Sequence, residues 1–293
     1  MKNILVLGGT RFFGRKLVEL LLKEGHRVTI MTRGTVSHPF DNEVKHIIAD
    51  RSKKEQLQHH FADQTFDIVY DNICYTPNEA KDFCDVFNGK IGKLVFTSSL
   101  STYPVDGNEK READFPPYNY PIQLDKSEFV YDEGKRQAEA AFFQYADFPA
   151  VAVRFPIVLG EDDYTRRLHF HVERIQQDRM ISFVNMEAEM SFILASEAAA
   201  FLKWAGFSEV EGPFNATANG KITMKKLIHI IEKVTGHTAK ITLDGDEENF
   251  SPYAIPASWY MNTEKAEKAG FTFTNLDDWL PALIKKIAKD NKK

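Results

Sequence analysis

The sequence predicts an α/β fold, a doubly wound parallel sheet with a smaller C-terminal substrate-binding domain. Three observations carry this expectation. Short aliphatic runs alternate with amphipathic segments from the first residues onward, and the first run, residues 4–7, breaks directly into Gly8-Gly9-Thr10-Arg11-Phe12-Phe13-Gly14. A helical pattern follows that turn at once, and 293 residues suffice to bury a real core in one large domain or two. Parallel strands joined by helices must cross over right-handedly, which covers both faces of the sheet.

Taken in order, Leu17, Leu20 and Leu21 give residues 15–24 a helical period, and Gly25 supplies a stop. Strands are expected at 28–32, 44–49, 67–73 and 93–97, with helices at 53–61 and 78–87 between them. Residues 106–125, with Pro116, Pro117 and Pro121, read as a long surface loop and a candidate lid. A helix at 133–145 and a strand at 150–155 resume the alternation, which becomes irregular beyond Gly160. A helix at 223–234 closed by Gly236 and a last one at 279–289, with lysines toward its C-terminal end, complete the chain. The expected division is a Rossmann-type nucleotide-binding domain over 1–160, with a return contribution from about 185–210, and a smaller substrate-binding domain over most of 161–293.

Composition narrows the function classes. A net charge of −5 with interspersed signs provides no basic face, so nucleic acid is not the expected partner. Cys74 and Cys84 are too few and too far apart for a zinc site or a disulfide framework and read as small core residues of a protein in a reducing cytoplasm. No apolar run approaches a membrane span, and no His, Cys or carboxylate spacing suggests a metal.

The chemistry-bearing residues lie in three places. In the glycine turn, Gly8 permits a sharp bend, Gly9 permits close approach of a ligand, and Gly14 lets the next helix press on the strand, so the first helical amides face an anion. The run Phe96-Thr97-Ser98-Ser99-Leu100-Ser101-Thr102-Tyr103 puts hydroxyls at a strand end, where one of them can hold an oxygen that alternates between alcohol and carbonyl. Tyr131 and Lys135, four apart, share one face of a helix. A free phenol titrates near about 10, and a neighbouring ammonium would bring it toward a useful range.

With these elements in this order, the chain resembles the extended short-chain dehydrogenase/reductase superfamily in its NAD-dependent epimerase/dehydratase branch, over nearly the whole length. The resemblance implies an NAD(P)-dependent oxidoreductase or isomerase that acts on a hydroxyl or carbonyl of a small polar, sugar-like molecule. It implies Ser99, four residues before Tyr103, together with Tyr131 and Lys135 as the catalytic set. Gly8, Gly9, Thr10, Arg11, Phe12, Phe13 and Gly14 would cradle the cofactor, Asp50 and Arg51 would lie at its adenine, and Asn72 and Lys135 at its nicotinamide ribose.

Departures from the family pattern add information. Arg11 stands where a middle glycine is usual, and its guanidinium could reach cofactor phosphate. Thr32-Arg33 replaces the acid that contacts the ribose of NAD, so NADP is favoured, with Arg33 for the 2′-phosphate and NAD as the alternative. Ile157 and the stretch Met190-Ser191-Phe192-Ile193-Leu194 lack the polar groups with which nucleotide-sugar enzymes grip a diphosphate. His169 and His171, near Arg166 and Arg167, read as a helix surface, and His59-His60 as solvent-facing. The competing readings are RNA binding, because the Gly-Gly-Thr-Arg-Phe opening is similar to a chloroplast stem-loop RNA-binding branch, and an NADP sensor without chemistry. A homodimer is compatible with all three.

Overall fold

A computed structural model describes residues 1–40 and 42–290. Its centre is a seven-stranded, all-parallel sheet built from β1 (Asn3–Leu7), β2 (Arg27–Thr32), β3 (Val44–Ile48), β4 (Ile68–Asp71), β5 (Leu94–Ser99), β6 (Ala150–Phe155) and β7 (Gly212–Asn215). The spatial order is β7-β6-β5-β4-β1-β2-β3. The order reverses between β1 and β4, and a ligand crevice is expected beyond their carboxyl ends.

Both faces are covered, and the two-residue period of each strand decides which side chain goes where. Ile4 and Val6 of β1 join Val28, Ile30, Val151 and Val153 in one core, under α1 (Phe12–Lys23). Leu5 and Leu7 point the other way, to a second core with Leu57, Phe83, Phe87 and Phe142 from α2 (Lys54–Phe61), α3 (Pro77–Phe87) and α4 (Tyr131–Tyr145). Each fully buried aliphatic side chain contributes about 1.5–3 kcal/mol relative to exposure. A third core collects Leu168, Val172 and Ile175 of α5 (Arg167–Gln176) with Leu227 and Ile231 of α7 (Met224–Thr235) and Leu280 and Ile284 of α9 (Leu276–Asp290). Between α5 and α7 the chain returns to the first core through α6 (Ala195–Phe207). The remaining helix, α8 (Glu264–Lys268), buries Ala266 against the same core.

Local signals account for the boundaries. Thr76 caps α3 by accepting from the Glu79 amide, and Pro77 occupies its first turn; Thr223 caps α7 in the same way. Gly236 ends α7 at φ 75°, a left-handed conformation that favours glycine.

Residues 106–125 are not the free loop that their prolines suggest. Glu109–Lys110 pairs with Tyr260–Met261, and Lys110 and Phe115 are buried. The fully buried Arg154 guanidinium donates to the carbonyls of Glu112 (3.1 Å) and Phe115 (2.7 Å). A buried cation must have its hydrogen bonds met, and this segment meets them, which argues against a lid. The helix expected from Glu133 starts two residues earlier, at Tyr131. His169 and His171 are buried rather than surface residues: His171 stacks on Tyr253 at 4.5 Å and bonds Ser251 Oγ at 2.7 Å, and His169 reaches the Glu161 carbonyl at 3.1 Å. Their helix turns this side to the third core. Among the described residues no helix is long and apolar enough to cross a membrane.

Candidate active site

The crevice is a cleft of about 1100 Å³ lined by the glycine turn, the ends of β2 to β6 and the start of α5. That exceeds the roughly 300–1,000 Å³ of ordinary ligand pockets. Its floor is built from the turn. Gly8 has φ 85°, and a side chain there would strike Ile73. At Gly14 any side chain would collide with the Gly8 carbonyl, so α1 lies against the turn only because Gly14 has none. Gly9 differs from expectation: a Cβ would meet Val18 at 2.9 Å and Ile30 at 3.2 Å, which makes this glycine a requirement of helix–sheet packing rather than of ligand approach. The N-terminus of α1 has no side-chain cap and no acid in its first turn, leaving unsatisfied amides and a positive dipole end at the cleft. Thr10, Arg11, Phe12 and Phe13 all line it. Arg11 is exposed, with its guanidinium 5.4 Å from the centre of the Tyr164 ring.

At the end under β2 and β3, Thr32, Arg33, Asp50 and Arg51 border the cleft. Arg33 is exposed there. Against partial burial, hydrogen bonds from Ser52 and the charges of Arg33 and Lys53 hold the Asp50 carboxyl below its usual range. The Arg51 guanidinium is turned inward and committed, pairing with buried Asp71 and donating to the Glu79 carbonyl at 2.8 Å. Its side chain thus joins the end of β4 to α3.

Ser99, Tyr131 and Lys135 all line the other end. Tyr131 opens α4, and its ring is 57 % exposed, toward the cleft. One turn on, Lys135 is 2 % exposed, and its ammonium donates to the carbonyls of Cys74 (2.8 Å) and Thr97 (2.9 Å). Burial pulls that ammonium down to about 8. Desolvation raises the Tyr131 phenol, opposed by a hydrogen bond with Ser99 and by the charge of Arg167. Arg167, rather than the expected Lys135, is therefore the cation that counters the rise. Asn72 sits between the two ends: its Oδ1 accepts from Thr97 Oγ1 at 2.7 Å, while its Nδ2 is buried without a partner. A buried unmet donor on a cleft wall points to a ligand acceptor.

Several site residues escaped the sequence reading. Glu139, two turns beyond Tyr131 on the same stripe of α4, accepts from Ser98 Oγ at 2.6 Å and pairs with Arg154, whose Nη1 donates to the Tyr103 hydroxyl at 2.6 Å. This buried network ties α4 to the ends of β5 and β6. A strap over 160–166 crosses the start of α1: Asp162 pairs with Arg15 (2.9 Å) and Lys16 (3.6 Å), and Tyr164 packs edge-on to Phe12 at 6.4 Å. Tyr75, Ser101, Arg167, Pro252 and Trp259 complete the wall near Tyr131. Ser101 lies in the hydroxyl run and Arg167 beside the two histidines noted in the sequence, whereas Tyr75, Pro252 and Trp259 come from segments with no periodic pattern.

Residues 4–82 match the NAD dependent epimerase/dehydratase family. A curated relative, the chloroplast stem-loop binding protein of 41 kDa b of Arabidopsis thaliana, is 24 % identical over 251 residues, covering 80 % of this chain and 64 % of that protein. The chain spans about 60 % of the length of the curated relatives it matches. Among solved structures, dTDP-glucose 4,6-dehydratase from Bacillus anthracis in complex with NAD aligns with a TM-score of 0.77 at 15 % identity, over 100 % of this chain and 98 % of that one. UDP-glucose 4-epimerase from Thermotoga maritima, with UDP-glucose, aligns with a TM-score of 0.76 at 16 % identity, over 99 % and 100 %. At these identities the structures speak for the fold. Residues 4–82 thus match the NAD dependent epimerase/dehydratase family, and the chain as a whole shares the fold of these epimerase and dehydratase structures.

Proposed function

We propose that this protein is an NAD(P)-dependent oxidoreductase of the epimerase/dehydratase type, acting on a hydroxyl or carbonyl of a small polar, sugar-like substrate. The observation that carries the reading is the meeting of Ser99, Tyr131 and Lys135 at one end of a cleft whose other end is a glycine cradle and an open helix N-terminus. The residues fit a dinucleotide on their own chemistry. The α1 amides suit a diphosphate, the unpartnered Asn72 amide suits a ribose or carboxamide oxygen, and the donors at Thr32 and Arg33 suit a 2′-phosphate, which is the ground for preferring NADP.

When bound, the nicotinamide supplies a hydride acceptor and donor. The chain's own residues do the rest. Tyr131 takes the proton from the substrate hydroxyl and later returns it; Ser99 holds the same oxygen; Lys135, anchored on two carbonyls, positions the ribose. Ile157 and Val158 line the cleft where a nucleotide diphosphate would need polar partners, so the substrate is read as other than an ordinary nucleotide sugar.

The test is a panel of sugars and sugar derivatives followed by both nicotinamide absorbance and proton NMR, so that net reduction and net epimerisation both register. For any substrate found, Tyr131→Phe should lower turnover at least about a hundredfold while keeping coenzyme affinity, and Lys135→Met should damage both. Near-normal turnover in Tyr131→Phe would remove the assignment.

A further inference from the structure

Beyond the residues assigned so far, His38 of the loop after β2 and His46 of the neighbouring strand β3 form a relay of two histidines. The Phe40 amide donates to His38 Nδ1 at 3.3 Å. His38 Nε2 lies 3.2 Å from His46 Nδ1, and His46 Nε2 lies 2.9 Å from Thr32 Oγ1. The Gly34 amide also donates to Thr32 Oγ1, at 3.2 Å.

The direction of every bond follows from one backbone donor. A neutral imidazole has one N–H and one acceptor nitrogen. Because His38 Nδ1 must accept from Phe40, its proton sits on Nε2 and donates to His46 Nδ1. His46 then carries its proton on Nε2 and donates to Thr32. Thr32 Oγ1 thus accepts twice, from Gly34 and from His46, and both its lone pairs are used. Its own proton has one remaining use, donation into the cleft that Thr32 lines. Burial and the neighbouring His38 hold His46 below its ordinary pKa, which keeps the neutral form that this order requires.

We infer that His38 and His46 are positioning residues that fix Thr32 as a donor-only group at the adenosine ribose, and so select the acceptor-only 2′-phosphate of NADPH. This inference rests on the coenzyme reading above and deepens it. A ribose 2′-hydroxyl needs an acceptor for its own proton, which neither a saturated Thr32 nor the guanidinium of Arg33 provides; the Asp50 carboxylate that borders this end already accepts from the Ser52 amide and hydroxyl and faces the charge of Arg33. A phosphate oxygen needs only donors, and Thr32 and Arg33 present them side by side.

Two measurements on the full chain test it. Nitrogen-15 NMR of the imidazoles at pH 8, without coenzyme, should find both His38 and His46 in the Nε2–H form; an Nδ1–H form of His46 would overturn the relay. Calorimetric titration with NADPH and NADH reads its effect. Thr32→Val and His46→Phe should each weaken NADPH about tenfold, the size of one hydrogen bond to a charged acceptor, with NADH affinity unchanged. The double variant should lose no more than either single one, since His46 acts only through Thr32. Losses that add, or NADPH and NADH weakening together, would overturn the inference while the wild-type preference for NADPH still stood. A wild type that bound both coenzymes equally would overturn the coenzyme reading itself, whatever the tautomers.

Discussion

His171 shows how one side chain links stability to pH. It is fully buried, donates from Nδ1 to the Arg167 carbonyl and so accepts at Nε2 from the Ser251 hydroxyl, and burial lowers its pKa to about 4. The unfolded chain titrates near about 6.5, so between these values it binds the extra proton and the folded chain does not. Stability contributed by neutral His171 is complete above pH 6.5 and is lost as pH falls toward 4, by on the order of 3 kcal/mol. Denaturant titrations at pH 7.5 and 5 should differ for wild type by more than for His171→Phe; an equal pH response in the two would refute the linkage. Residue identity was legible in sequence where a backbone motif defines it, as at Gly8, Gly14, Tyr131 and Lys135. It was illegible where direction matters. Nothing in the string Asp50-Arg51 says that Arg51 turns inward to Asp71, because that partner lies in another strand.

Among the elements, α4 is held by its buried face. Tyr131, Lys135 and Glu139 form one stripe, and Glu139 ends it in the pair with Arg154. Glu139→Gln leaves the Arg154 cation buried without its counter-charge, which costs about 3–5 kcal/mol. Thermal unfolding should register this as a large fall in Tm, and a change within error would show that the network contributes little. The strap over 160–166 behaves differently. Its ion pairs from Asp162 to Arg15 and Lys16 are partly exposed, and such pairs contribute about 0–1 kcal/mol. Asp162→Ala should therefore leave Tm nearly unchanged but accelerate coenzyme release severalfold in stopped flow; an unaltered release rate would mean that the strap does not hold the coenzyme. The sheet and its crossover helices could be read from periodicity because each strand sends alternate residues to opposite cores. The strap and the segment over 106–125 could not. Their order comes from single polar anchors, Asp162 and Arg154, rather than from a repeating pattern.

For the molecule as a whole, the three cores place the glycine cradle, the Thr32–Arg33 corner and the Tyr131 wall around one continuous cleft. The net charge of −5 leaves RNA a poor electrostatic match, and a gel shift with structured RNA should show only binding that fades steeply with salt. Tight binding persisting at physiological salt would move the stem-loop reading forward. Ligation of the cleft should stabilise the whole fold, by about 2.7 kcal/mol at a hundredfold excess over Kd. The most direct test of the central claim is a crystal structure of the chain with NADP bound. The account predicts the diphosphate on the amides that open α1, the 2′-phosphate between Thr32 and Arg33, and the nicotinamide beside the Tyr131 hydroxyl and the Lys135 ammonium. A coenzyme that bound with its nicotinamide away from Tyr131, or outside this cleft, would contradict it.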